Sequence, residues 1–182
     1  MVDPEFSVIQ AIADGDEDAF ESFVKRYQNP VCNFVCRYVG DRAAAEDIVQ
    51  EVFLQVYRAA ARFEPKARVT TWVFKIARNL SLNEIKHRKR LHLDETEARR
   101  GCEYAAPVSS AATAAYERQQ EIETALRALP ENQRAALLLR VNEGLSYREI
   151  GAVLGVSVES VEALIFRARQ HLRALLLGKR ET

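Results

Sequence analysis

The 182-residue chain holds only seven Gly, five Pro, three Cys, three His, one Met and one Trp, and its formal net charge is zero. So few Gly and Pro leave little room for turns. No stretch alternates apolar with polar residues for long enough to propose a sheet, and an all-α fold is predicted. No apolar run is long enough to span a bilayer, and no basic start followed by an apolar stretch marks a secretory leader. The chain is expected to be soluble and cytoplasmic, without membrane insertion of its own. Cys32, Cys36 and Cys102 are an odd set for a reducing compartment. Cys32 and Cys36 share a helix face with no nearby His, which makes a poor metal site, so small buried apolar side chains are the expected role. His87, His92 and His171 have no nucleophile or carboxylate at suggestive spacing, and no Gly loop cradles phosphate. No catalytic residue, metal ligand or cofactor is assigned, and the chain reads as a non-enzyme.

The zero net charge hides a segregation. From Met1 to Val24 there are seven acids (Asp3, Glu5, Asp14, Asp16, Glu17, Asp18, Glu21) and no base, whereas Lys66 to Arg90 carries eight bases with Glu84 the only acid. A basic block beside acidic ones suggests separate surfaces for separate partners.

Two small domains fit this length once a linker is found. Leu91 to Ala115 holds Asp94, Glu95, Glu97 and Glu103 against Arg99 and Arg100, then a Pro-, Ser- and Ala-rich tract with no apolar period. It reads as a long flexible linker between residues 7–90 and 116–182. Extended at about 3.3 Å per residue it reaches roughly 80 Å, so the two domains can sit far apart.

In the first domain a short helix from Ile9, a turn near Gly15 and a longer helix ending at Gly40 are expected, with Asp41 the N-cap of the next. Arg42 to Phe63 is amphipathic: Ala45, Ile48, Val49, Val52, Phe53 and Val56 form its apolar stripe. Asp47, Gln50 and Glu51 lie opposite, and periodicity alone makes them a solvated face. Phe63 to Thr70, FEPKARVT, breaks at Pro65 into a loop. The helix from Thr71 to Lys89 turns Val73, Ile76, Ala77 and Leu80 inward. Its outer surface carries Lys75, Arg78, Asn79, Lys86, Arg88 and Lys89, interleaved with Trp72 and Phe74. Basic side chains neutralise phosphates and aromatics stack on unpaired bases, so this loop and helix suit single-stranded or melted nucleic acid. Phe74 fits better in the core; Trp72 fits either role.

The second domain opens with a helix from Tyr116 to Leu129, with Ile122, Ala125, Leu126 and Leu129 inward. Pro130 stands at N1 of the next helix, whose Ala135, Leu138, Leu139 and Val141 complete a core before Gly144. Leu145 to Arg173, LSYREIGAVLGVSVESVEALIFRARQHLR, reads as two short helices around a tight turn. Ser146 with Glu149 makes a capping box, Gly155 takes a positive φ, and Ser157 caps the second helix. Ile150, Leu154, Val156, Val161 and Leu164 lock the helices together, and Gly151 leaves room where they cross. This is the helix-turn-helix arrangement, whose second helix enters the DNA major groove.

AAAEDIVQEVFLQVYRA, TTWVFKIARNLSLNEIKHRKR and ALPENQRAALLLRVNEGLSYREIGAVLGVSVESVEALIFRAR together resemble the bacterial sigma factors of RNA polymerase. The resemblance is to the extracytoplasmic-function group, group 4 of the sigma-70 family, which keeps only the second and fourth sigma domains. It runs from about Ile9 to Leu176 and implies a monomer that binds core RNA polymerase and promoter DNA, both duplex and melted non-template strand. Asp47, Gln50 and Glu51 then resemble the face that docks on the polymerase clamp, turning a solvated face into an interface. Lys66, Arg68, Thr71, Trp72, Lys75, Arg78, Asn79, Lys86, Arg88 and Lys89 match the part that opens the minus-ten element. Ser157, Glu159, Ser160 and Glu162 on the final helix, with Arg148, Arg167 and Arg169 for the backbone, match the reader of the minus-thirty-five element. Family members often carry a basic residue where this chain has Glu162, so weak DNA binding by the second domain alone is expected. An anti-sigma partner is also implied.

Two other classes compete. A stand-alone helix-turn-helix regulator would bind duplex DNA as a dimer on a two-fold site, but it leaves the basic aromatic helix and the long tether without a use. A helical adaptor that binds only protein leaves the helix-turn-helix idle.

Overall fold

A computed structural model describes residue 3, residues 5–91 and residues 110–177. Eight α-helices follow in order: α1 Phe6–Ala13, α2 Glu17–Val39, α3 Arg42–Ala59, α4 Val69–Arg90, α5 Ser110–Arg127, α6 Glu131–Val141, α7 Tyr147–Leu154 and α8 Val158–Leu177. A 3-10 turn at Ala60–Arg62 continues α3, and the described residues include no strand, so the all-α expectation holds.

Short polar side chains start several of these helices. Asp16 Oδ1 accepts from the Ala19 N–H at 2.9 Å, and Asp41 Oδ1 from the Ala44 N–H at 2.8 Å, each satisfying a donor that has no partner inside its helix. α2 runs unbroken through Pro30 and stops at Gly40, whose φ of 81° ends it in the left-handed region. α4 lacks a local cap. Its first N–H, that of Val69, instead donates to Asp3 Oδ2 at 2.7 Å.

The first four helices enclose Val31, Phe34, Val35, Tyr38, Val52, Val56, Val69, Val73 and Phe74. Phe34 stacks on Tyr38 and meets Phe74 edge-on at 5.6 Å. In the second half α6, α7 and α8 close around Leu139, Ile150, Val161, Ile165 and Ala168. Each such side chain contributes about 1.5–3 kcal/mol by leaving water, which makes these contacts the main stabilising term.

Several expectations are corrected. α8 is a 20-residue helix rather than a short one. α5 begins at Ser110, so Ser110 to Ala115, expected in the linker, are helical, and Pro130 is the N-cap of α6 rather than its first residue. Residues 92–109 of the expected linker lie outside the described residues. Ile122 is 40% exposed, because α5 turns Glu123 toward α2, where it pairs with Arg37 at 3.1 Å. Val141 is 66% exposed where α6 runs out of the core. Cys32 is a free, half-buried thiol, while Cys36, also half-buried, is disulfide-bonded rather than a buried apolar residue. Cys102 lies outside the described residues. The two halves touch in this structure, α7 lying on α4 and α5 and α6 on α2, which leaves the reach expected of the linker as it was.

Candidate nucleic-acid and polymerase interface

α3 presents its polar face as the sequence pattern requires. Asp47 and Gln50 are exposed and Glu51 is half-buried; Glu51 Oε1 accepts from Gln55 Nε2 at 3.3 Å and pairs with Arg58 at 3.5 Å. One turn further along the same face stand Leu54, 46% exposed, and Tyr57, 49% exposed. Sequence reasoning missed both. The signal was there: two large apolar residues off the buried stripe of an otherwise regular amphipathic helix.

The loop before α4 and the helix itself bring most of the predicted nucleic-acid residues to one side. Lys66 is exposed and pairs with Glu64, and Lys75, Asn79 and Lys86 are exposed. Trp72 is half-buried, its ring 4.6 Å from that of Phe63. Phe74 is 1% exposed and belongs to the core. Thr71 is 3% exposed and its Oγ1 is unpartnered, so its side chain does not reach the surface with the others.

The remaining cations are held by carboxylates or amides. Arg88 pairs with Glu84 at 2.7 Å and Asp41 at 3.2 Å. Burial pushes the Asp41 carboxyl up, but the Ala44 N–H and the Arg88 guanidinium outweigh it and hold it below the usual carboxylate range. Arg68, Arg78 and Lys89 reach across to the second half. Their partners are Glu149 at 3.4 Å, Asn132 Oδ1 at 3.1 Å and Glu131 at 2.5 Å.

In the helix-turn-helix the Glu149 N–H donates to Ser146 Oγ at 3.3 Å while the Ser146 N–H donates to Glu149 Oε2 at 2.8 Å, the expected capping box. Gly155 turns the chain at φ 72°. A Cβ on Gly151 would sit 2.8 Å from the Val156 carbonyl oxygen, so only glycine fits at this crossing. Ser157 Oγ accepts from the Ser160 N–H at 3.3 Å and opens α8. Ser157, Glu159, Ser160 and Glu162 are exposed at that start, Arg148 is exposed on α7, and Arg167 and Arg169 are exposed further along α8. The Glu159 carboxyl is held below its ordinary value by its own N–H and the Ser157 hydroxyl. Phe166, 62% exposed, is a third large apolar residue the sequence reading passed over.

Residues 23–91 match the family described as Sigma-70 region 2, and residues 119–172 match Sigma-70, region 4. The chain is also 34% identical over 173 residues to the ECF RNA polymerase sigma-E factor of Escherichia coli strain K12, covering 90% of this chain and 89% of that protein. The chain belongs to the sigma-70 family, in its extracytoplasmic-function group. This sigma factor is 32% identical over 171 residues to the RNA polymerase sigma-H factor of Pseudomonas aeruginosa, covering 90% of this chain and 89% of that one. It is 33% identical over 169 residues to the sigma factor CarQ of Myxococcus xanthus, covering 92% and 95%. Among solved structures, CnrH in complex with the cytosolic domain of CnrY matches with a TM-score of 0.72 and 26% identity over 97% of this chain and 99% of that one. The sigma factor RpoE of Bartonella quintana, solved with the anti-sigma factor NepR, shares the fold at a TM-score of 0.69 and 24% identity, covering 86% of this chain and 96% of that one. The matched regions fall one in each half of the chain. They favour the sigma reading over a stand-alone dimeric regulator.

Among the described residues no helix is long and apolar enough to cross a membrane, and no group of three or more His, Cys, Asp or Glu is placed to hold a metal ion.

Proposed function

We propose that this sigma factor works as a cytoplasmic, non-enzymatic monomer that docks on core RNA polymerase and directs it to promoters. Residues 7–90 act as the second sigma domain, with Asp47, Gln50 and Glu51 of α3 on the polymerase and Leu54 and Tyr57 supplying apolar contact beside them. Lys66, Arg68, Trp72, Lys75, Arg78, Asn79, Lys86, Arg88 and Lys89 serve the minus-ten element, while the buried Thr71 packs beneath them. There the unpaired strand gains stacking and phosphate neutralisation that offset the few kcal/mol of unstacking a base. Residues 116–182 act as the fourth domain. Ser157, Glu159, Ser160 and Glu162 face base edges of the minus-thirty-five element, and Arg148, Arg167 and Arg169 face phosphates. Acids on a recognition helix accept from cytosine amino groups but are repelled by phosphate, which makes this half dependent on polymerase for affinity. A protein partner of the anti-sigma class covers apolar surface such as Leu54, Tyr57 and Phe166 in the inactive state; CnrH, similar along almost all of its length, was solved in complex with the cytosolic domain of CnrY.

One observation carries the reading: a single chain joins an exposed polar helix face, a basic helix beside it and a helix-turn-helix with an open recognition start. The test is comigration of the purified protein with bacterial core polymerase, alongside a gel shift of the protein alone on duplex DNA. Comigration with poor binding alone is the expected result. A tight dimeric complex on a palindromic duplex, with no affinity for core, would overturn the reading in favour of the regulator.

A further inference from the structure

We infer that the cleft between the end of α2, the end of α4 and the α5–α6 turn is a binding site for a small phosphate-bearing molecule of nucleotide size. The cleft has a volume of about 560 Å³ and is lined by Arg88, Lys89, Arg127 and Arg134, with Glu131 the single carboxylate among its lining residues. Arg134 is 8% exposed. Its Nη atoms are taken by the Tyr38 and Leu129 carbonyls, but its Nε has no partner. A buried donor without an acceptor is costly, so an acceptor oxygen brought to it is favoured. No side chain caps the start of α6 at Pro130, which also lines the cleft, and the uncapped amides of a first turn carry the positive end of a helix. The two observations are independent and favour the same ligand, a charged anion with several acceptor oxygens.

The four cations are unequally engaged. Arg88 is held by Glu84 and Asp41, and Lys89 pairs with Glu131, so the lining has no second carboxylate to set against Arg127 and Arg134. Burial lowers the Arg134 pKa, and the nearby Arg127 charge adds to this while Tyr38 and Glu131 oppose it. Two guanidiniums that disfavour each other's charge are both stabilised by a shared anion. The Arg127 stem is seated on the backbone at the end of α2, where a Cβ on Gly40 would meet its Cδ at 3.0 Å. Val39, Ile85 and Leu129 add apolar surface beside the charges, and the volume lies in the range of small-molecule sites, well above what one phosphate fills. The cleft therefore suits phosphate groups on the cations with a ring system against the apolar wall.

Calorimetric titration of the full-length protein with ADP, in the presence of a chelator so that no divalent cation intervenes, tests the site. Saturable binding is expected for ADP and none for adenosine, because the phosphates carry the recognition. Arg127→Gln removes a charged donor and is expected to weaken ADP binding about ten-fold or more. Lys25→Gln, the loss of an exposed charge on α2 outside the cleft, should leave it within about two-fold. Glu131→Gln takes away the carboxylate that competes for Lys89 and is expected to tighten ADP binding about two- to five-fold. A gain of affinity cannot come from a misfolded chain, so this variant decides the matter even where Arg127→Gln proves unstable. No saturable ADP binding, adenosine bound as tightly as ADP, equal losses in Arg127→Gln and Lys25→Gln, or no gain in Glu131→Gln would overturn the site.

Discussion

Arg134 reaches 96 residues back along the chain and donates from Nη1 to the Tyr38 carbonyl oxygen at 2.9 Å, while its Nη2 donates to the Leu129 carbonyl at 3.2 Å. The Tyr38 carbonyl is among the last four of α2, which have no acceptor role within their own helix. A buried cation there satisfies the carbonyl and complements the negative end of the helix. Its guanidinium also lies 5.8 Å from the Tyr38 ring. Burial lowers the Arg134 pKa from its ordinary value, but an arginine starts so high that the charge persists. Arg134→Met leaves two buried carbonyls without donors and is expected to lower stability in denaturant unfolding by about 2–4 kcal/mol. Arg134→Lys is expected to recover only part of this, because an ammonium cannot serve two carbonyls in the fixed fork of a guanidinium. A methionine variant as stable as the parent would show the contact to be incidental.

Asp3 performs for α4 the service that Asp41 performs for α3, but from 66 residues away. Asp3→Ala removes the acceptor of the Val69 N–H and is expected to cost about 1 kcal/mol, the usual loss on deleting a cap. Hydrogen exchange localises the effect: the Val69 amide and the first turn of α4 should exchange faster, while α7 and α8 do not change. Unaltered exchange at Val69 would mean that another acceptor takes over.

Two glycines of the helix-turn-helix separate crowding from backbone strain. At Gly151 an added Cβ meets the Val156 carbonyl oxygen at 2.8 Å, whereas at Gly155 nothing lies within 4 Å but φ is +72°. Gly151→Ala must push backbone apart and is expected to cost about 1–3 kcal/mol. Gly155→Ala meets only the unfavourable φ, about 1–2 kcal/mol. Thermal unfolding of the two variants should therefore rank Gly151→Ala at or below Gly155→Ala. Double substitution should be less than additive, because either change loosens the same turn.

The elements that sequence made legible are those whose signals are local. Ser146 and Glu149 lie three residues apart, Gly155 follows one helix, Asp41 precedes another, and each does in three dimensions what its neighbours required. The Asp3–Val69 and Arg134–Tyr38 contacts had no such signature, since a charged side chain that docks far away carries no period and no motif. The same physics misplaced Ile122. A period of 3.6 says that α5 has an apolar stripe, but not that the Glu123–Arg37 pair will turn the helix by one residue. For the candidate site, the basic character of α4 was plain from composition. Its pairing with Glu131, Asn132 and Glu149 was not, because contacts between residues on either side of a long linker carry no local signal.

Glu143 lines a hollow with Asn29, Asn33, Arg37 and Asn142, where burial pushes its carboxyl up to about 7 from 4.5. A carboxyl whose folded pKa is raised contributes stability that is complete below about 4.5 and is lost as pH rises through about 7. The native state binds the extra proton in that window. Glu143→Gln removes the dependence, so the melting temperature of the variant relative to the parent should climb between about pH 5 and about pH 8. With the group half-exposed, solvent screening limits the gain to about 2 °C for a chain of this size. A relative melting temperature that is flat with pH would place the Glu143 carboxyl in water.

Lys75 and Lys86 are exposed on α4 outside the contacts with the second half, which makes them the cleanest probes of phosphate binding. Releasing counterions from DNA gives log K a linear dependence on log salt, and each phosphate contact to a single strand contributes about 0.7 to the slope. Lys75→Ala and Lys86→Ala, each assembled with core polymerase on a promoter carrying a melted minus-ten segment, are expected to weaken binding to all promoter sequences alike. Each should make the slope shallower by about 0.7. Neither lysine is buried or part of the core, so thermal stability of the free chain should hold steady, which excludes misfolding as the cause. An unchanged slope would mean that the strand does not run along this side of α4, and the phosphate path would have to be sought on the side that carries Arg78 and Lys89.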